Sequence, residues 1–271
     1  MEQTHWSIVG SQGEAIHGTT TRPRGSSAKC NLIIAHGFKG YKDYGLFPWL
    51  AMTAASSGAV SHGFNFSHSG MLAGDGLFER TDLFEKDTWN KQVEDLQAVV
   101  SYCRDDALPT ILMGHSRGGV ACLLATGRGV IQVDHVVTLS APCTCNPLSE
   151  EMRQTLIADG YIESPSSRTD QMLHVGRCFL DEQLQEPEAH DLMTLVEAID
   201  VPVTVIHGTD DQTVAVESGA AIVKAAKKAT FIAVAGGNHV FNTPNPFPID
   251  GEPTQQLQKL WDSVEQVINC C

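Results

Sequence analysis

Thr110-Ile111-Leu112-Met113-Gly114-His115-Ser116-Arg117-Gly118-Gly119-Val120-Ala121-Cys122-Leu123-Leu124-Ala125 joins a short apolar run to an apolar helical stretch through a serine set between glycines. The residues before Gly114 read as a buried strand, and those after Gly119 as a helix packed against it. Gly114 and Gly118 permit a turn too tight for side chains, which lifts the Ser116 hydroxyl above the strand end at a helix N-terminus. A G-x-S-x-G sequence by itself is weak. Between a strand and a helix it reads as a nucleophile elbow.

The same alternation extends in both directions. Apolar, β-rich runs at Leu32–Ala35, Ala59–Phe66, Thr110–Met113, His135–Leu139, Val203–Ile206 and Thr230–Val234 are short and do not alternate with polar residues, as expected for strands covered on both faces. Between them, Trp89, Val93, Leu96, Val100 and Cys103 recur at helical steps, as do Leu257, Leu260, Trp261, Val264 and Ile268. Strand and helix in alternation predict a doubly wound α/β architecture with a mostly parallel sheet. Ahead of it, Trp6–Val9 and Glu14–Gly18 flank Gly10-Ser11-Gln12-Gly13 and read as an opening hairpin.

The alternation breaks between Pro142 and Val201, where a charged, Met- and Leu-rich stretch replaces a short connection. It is expected to be an inserted helical cap, residues 143–200, on a core formed by 1–142 and 201–271. Within it, Glu150-Glu151-Met152-Arg153 and Asp191-Leu192-Met193 look helical, and Ser164-Pro165-Ser166-Ser167 looks like a turn.

A serine hydroxyl is a poor nucleophile at neutral pH, so it needs a base to take its proton and an acid to hold that base in the right tautomer. Two loops after late strands supply candidates. Val203–Gly208 runs into Thr209-Asp210-Asp211-Gln212-Thr213-Val214, and Thr230–Val234 runs into Ala235-Gly236-Gly237-Asn238-His239. His239 is the candidate base by its place after the last expected strand.

His36-Gly37-Phe38, Gly114-His115-Ser116-Arg117-Gly118, Gly208-x-x-Asp211-x-x-Val214 and Asn238-His239 together resemble the bacterial esterase branch of the α/β-hydrolase superfamily. His36-Gly37-Phe38-Lys39-Gly40 and Phe64-Asn65-Phe66-Ser67 are further similar to feruloyl or cinnamoyl esterase-like and serine aminopeptidase-like hydrolases. The resemblance implies an eight-stranded, mostly parallel sheet flanked by helices. It implies a triad of Ser116, Asp211 and His239, with the acid three residues after Gly208 and so Asp211 in preference to Asp210. It also implies oxyanion stabilisation by the backbone N–H groups of Phe38 and Arg117, with no cofactor and no metal.

The expected activity is hydrolysis of carboxylic esters of small or aromatic acyl groups through an acyl-enzyme. The alternatives are amide hydrolysis of a peptidase or aminopeptidase kind or thioester cleavage by the same triad, and, in another class, a non-catalytic ligand-binding protein. His36 and His115 are expected to shape the oxyanion loops rather than to act as the base. The Arg117 side chain is expected either to meet a substrate carboxylate or to lie in solvent. His68, at the end of a strand, and Tyr161, Met172 and Phe179, in the cap, are the candidate substrate contacts.

The remaining composition narrows the setting. A chain of 271 residues with 42% hydrophobic content can bury one sizeable core. A net charge of -14 disfavours nucleic acid and anionic membrane surfaces as partners. The start, Met1-Glu2-Gln3-Thr4-His5-Trp6, has neither the basic residues nor the apolar run of a secretory signal, so a cytoplasmic location is expected. Of the eight cysteines, Cys30, Cys103 and Cys122 sit in or beside apolar segments and are expected as reduced core thiols. Cys143-Thr144-Cys145 and Cys270-Cys271 lack zinc-ligand spacing. The expected partner is a small ester, with a homodimer left open.

Overall fold

The computed structural model describes residues 1–25, 28–72, 76–105 and 107–271. Eight strands form one sheet: β1 (Glu2–Val9), β2 (Ala15–Arg22), β3 (Cys30–Ala35), β4 (Ala59–Asn65), β5 (Thr110–His115), β6 (His135–Leu139), β9 (Val203–Gly208) and β10 (Ala229–Val234). Their order is β1-β2-β4-β3-β5-β6-β9-β10. β1 and β2 form the opening hairpin, and β2 runs antiparallel to β4; from β4 to β10 every pairing is parallel. The hairpin strands are longer than the sequence pattern indicates, because β1 is mostly exposed and carries little apolar signal.

The central strands divide their side chains between two cores, as a period of two requires. Ile33, Leu112, Val136 and Val205 face one layer, which holds α3 (Trp89–Cys103) and α4 (Arg117–Gly127). Leu32, Ile34, Ile111, Met113 and Ile206 face the other, which holds α1 (Leu46–Ser56) and α9 (Gln255–Asn269). α3 and α9 occupy the segments where helical periodicity was strongest, because each buries one stripe and exposes the opposite one. The short α2 (Thr81–Glu85) precedes α3, and α8 (Glu217–Ala225) connects β9 to β10.

The insertion contains α5 (Glu150–Asp159), an antiparallel hairpin of β7 (Tyr161–Ser166) and β8 (Gln171–Gly176), α6 (Cys178–Gln185) and α7 (Leu192–Ala198). The hairpin corrects the reading of Ser164–Ser167 as a turn: Ser164, Pro165 and Ser166 lie in β7, and the turn spans residues 167–170. In a two-stranded sheet both strands are edges, so a proline costs no ladder hydrogen bond when its nitrogen faces outward. Cys30, Cys103 and Cys122 are buried, and all eight cysteines are free thiols. No helix among the described residues is long and apolar enough to cross a membrane.

Candidate active site

β5 ends at His115 and α4 begins at Arg117, leaving Ser116 to make the turn at φ 51° and ψ -121°. That is a positive φ for a residue with a side chain, a conformation retained only where its surroundings dictate it. The Ser116 N–H donates to the Leu139 carbonyl at 2.7 Å, which fixes the turn to the end of β6. A Cβ at Gly114 would stand 2.4 Å from the Gly118 carbonyl oxygen, so the elbow closes only with glycine there.

β9 and β10 carry the next two groups to the same sheet edge. Asp211 follows β9 and is buried; its Oδ1 accepts from the Thr213 and Val214 N–H groups, each at 2.9 Å. Its Oδ2 accepts from His239 Nδ1 at 2.8 Å and lies 3.3 Å from His207 Nε2. Burial by itself would raise the Asp211 carboxyl, but the bonds from His207, His239 and the Val214 amide hold it well below the usual carboxylate range. Asp210 is exposed and accepts from the Thr209 hydroxyl at 2.9 Å, which makes it a turn residue. With Nδ1 of His239 given to Asp211, its Nε2 is left for the cleft whose wall His239 shares with Ser116.

Asn238 holds the His239 loop, its Oδ1 accepting from the Val240 and Asn242 N–H groups at 3.0 and 2.8 Å. His115 reaches the same loop from the elbow: its Nε2 donates to the His239 carbonyl at 2.8 Å. His36 Nδ1 donates to the Gly37 carbonyl at 2.9 Å, and the Phe66 N–H donates to its Nε2 at 3.2 Å. Burial lowers His36 to about 4 and His115 to about 3, so both rings are neutral braces at neutral pH. The Arg117 amide, first in α4, has no intrahelical acceptor, and Arg117 and Phe38 line one cleft together with Ser116.

The Arg117 side chain does not lie in solvent: it is buried and lines a cleft at Ser116. It is buried in an ion pair, Nη2 to Asp87 Oδ2 at 3.1 Å, with the guanidinium 4.8 Å from the ring centroids of both Trp89 and Phe179. A buried cation needs its charge matched and its faces covered, and Asp87 and the two rings do both.

Two clefts meet at Ser116. One, about 490 Å³, lies beneath the cap and is walled by Phe38, Trp89, Leu148, Ile162, Val175 and Phe179. The other, about 240 Å³, is bordered by His239, Lys39, Tyr44 and Arg168. Of the residues expected to touch substrate, Phe179 lines the larger cleft and the other three line neither. His68 is buried against Ser67, whose Oγ lies 2.9 Å from its Nδ1. Tyr161 and Met172 are on the outward face of the cap hairpin, Tyr161 stacked on His174 at 4.2 Å between centroids. Side chains alternate along β7 and β8, so the paired Ile162 and Val175 face the cleft instead. Without an assigned strand, nothing in the sequence fixed that parity.

The sequence matches the profile of the Alpha/beta hydrolase family over residues 32–249. No curated protein matches it at a significant level. Among solved structures, it resembles the esterase Est1E from Butyrivibrio proteoclasticus, bound to ferulic acid, at 19% identity and a TM-score of 0.71, covering 98% of each chain. A putative hydrolase from Agrobacterium vitis S4 aligns at 19% identity and a TM-score of 0.74, covering 99% of this chain and 100% of that one. A soluble variant of monoglyceride lipase from Saccharomyces cerevisiae, in complex with a substrate analogue, gives 13% identity and a TM-score of 0.74, over 99% and 95%. At these identities the likeness is one of fold.

Proposed function

The chain belongs to the alpha/beta hydrolase family, and from that premise we propose that it is a serine hydrolase cleaving carboxylic esters through an acyl-enzyme on Ser116. The observation that carries this reading is the convergence at one sheet edge of a serine at positive φ and a histidine bonded to a buried carboxylate, both on the wall of one cleft. In the proposed reaction His239 Nε2 takes the Ser116 proton as Oγ attacks the ester carbonyl. Asp211 holds the ring in that tautomer and stabilises the imidazolium. The Arg117 and Phe38 N–H groups face the oxyanion, each donor worth roughly 3 kcal/mol of barrier. His239 then protonates the leaving alcohol, and water, activated by the same ring, releases the acid.

The larger cleft receives the acyl group. Its apolar, partly aromatic wall suits an aromatic acyl chain, the kind of ligand found in Est1E, and its volume of about 490 Å³ accommodates a substituted phenyl ring.

Labelling with a fluorophosphonate, read together with hydrolysis of short-chain and aryl nitrophenyl esters, tests the proposal. Wild type is expected to label and turn over, and Ser116→Ala to lose both. A folded wild type that does neither rejects the reading. A panel of aminoacyl anilides and thioesters separates ester from amide and thioester cleavage.

A further inference from the structure

The larger cleft is mostly apolar, and its one cation, Arg117, is ion-paired with Asp87, whereas the smaller cleft carries cations without a carboxylate partner among the described residues. Lys39 and Arg168 are two of its walls, and no Asp or Glu is among the described residues that line it. This is unusual placement in a chain with 18 Lys and Arg against 32 Asp and Glu. Neither side chain forms an ion pair with a described carboxylate. Lys39 Nζ donates to the Pro165 carbonyl at 2.7 Å, leaving further N–H donors, and partial burial lowers its pKa. Arg168 lies across Tyr41 and Phe78, 4.8 and 5.2 Å from their ring centroids, donates to the Gly76 carbonyl, and keeps a buried Nη2 without a partner among the described residues. The loop after β3 and the cap hairpin thus place two half-buried cations with spare donors on the wall of one cleft, which is the chemistry that favours negative charge.

The chemistry decides which part of the substrate meets them. The leaving oxygen must be reachable from His239 Nε2, and His239 lines this cleft and not the larger one. We propose that the smaller cleft is the leaving-group site and that Lys39 and Arg168 select esters whose alcohol portion carries an anionic group, a carboxylate or a phosphate. The bond cut is the acyl C–O bond. The alcohol departs with the proton from His239 and with its anion intact, and the acyl group goes to water. A protein with a net charge of -14 repels such a substrate at long range, so its preference has to arise from these local cations.

This inference rests on the serine-esterase reading, and the test separates the two. meta-Butyryloxybenzoate, meta-butyryloxyphenyl phosphate and the neutral meta-butyryloxybenzamide share an acyl group and differ in leaving-group charge. Each kcat/KM is divided by the hydroxide-catalysed rate to remove intrinsic reactivity. Wild type is expected to favour at least one anionic ester over the amide-bearing one by about tenfold at low salt, and by less as salt screens the cleft. The larger of the two anionic preferences identifies carboxylate or phosphate. Lys39→Gln and Arg168→Gln are each expected to reduce the ratio toward unity, the neutral ester serving as reference within each variant. If Arg168→Gln fails to fold, Lys39→Gln decides. Turnover of the neutral ester with no anionic preference, or a preference unchanged in the variants, overturns the proposal and leaves the esterase reading intact. No turnover of any ester overturns both.

Discussion

Asp211 accepts from two backbone amides and His239 and lies against His207, so its carboxylate is ionised and immobile before substrate arrives. Asp210, one residue earlier, points to solvent. Asp211→Asn is therefore expected to lower kcat by roughly 10³–10⁴ with the fold retained, because an amide donor facing Nδ1 favours the wrong tautomer of His239. Asp210→Asn should leave kcat within about threefold of wild type, as surface substitutions usually do. Steady-state kinetics on one nitrophenyl ester checks both, and equal losses would place the acid elsewhere. At this scale the sequence was legible in placement: the loops it singled out at Ser116, Asp210-Asp211 and His239 do meet, with Asp211 bonded to His239 and His239 sharing a cleft wall with Ser116. It was illegible for the Arg117 side chain, whose fate depends on Asp87, Trp89 and Phe179, and no local pattern in the sequence announces that those residues converge.

The pairing of acid and base depends on how closely the loops after β9 and β10 approach. A Cβ at Gly208 would stand 2.1 Å from the Gly237 carbonyl oxygen, and the Asp210 N–H donates to that same carbonyl at 2.9 Å. Gly208→Ala is thus expected to push the two loops apart. Overpacking of this kind costs about 1–3 kcal/mol of stability, and a displacement near 1 Å between reacting groups costs about 10² in kcat. Thermal melts and kcat on the same preparation check this, and a variant with wild-type kcat would show that the approach is not needed. Elements with a strong period were read correctly from the sequence, α3 and α9 above all, since a long amphipathic stripe has one good burial solution. The cap hairpin was not. β7 contains a proline, and both strands mix polar with apolar residues, so neither shows the continuous apolar run by which equally short core strands were recognised.

Across the whole molecule, burial of neutral histidines sets how stability depends on pH. His36, His62 and His68 are lowered to about 4 and His115 to about 3, in each case chiefly by burial. Once unfolded, all four return to about 6.5. Between those limits the unfolded chain binds protons that the folded chain refuses, so stability falls as pH drops through 6.5 and continues to fall toward 4. Asp95 acts in the opposite sense. Burial raises it to about 7 against the N–H and hydroxyl bonds it accepts from Ser11 and Ser67, so near pH 5 it holds a proton that unfolding releases. Asp87, also raised by burial, adds to that release. Four protons gained against at most two lost leave a net uptake of about two at pH 5 from these groups. Denaturant titrations at pH 7, 6 and 5 are expected to show stability declining at each step and steepening toward pH 5. A flat or rising profile would mean that the histidines are solvated in solution and that the braces they supply to the elbow and the His239 loop are looser than the packing requires.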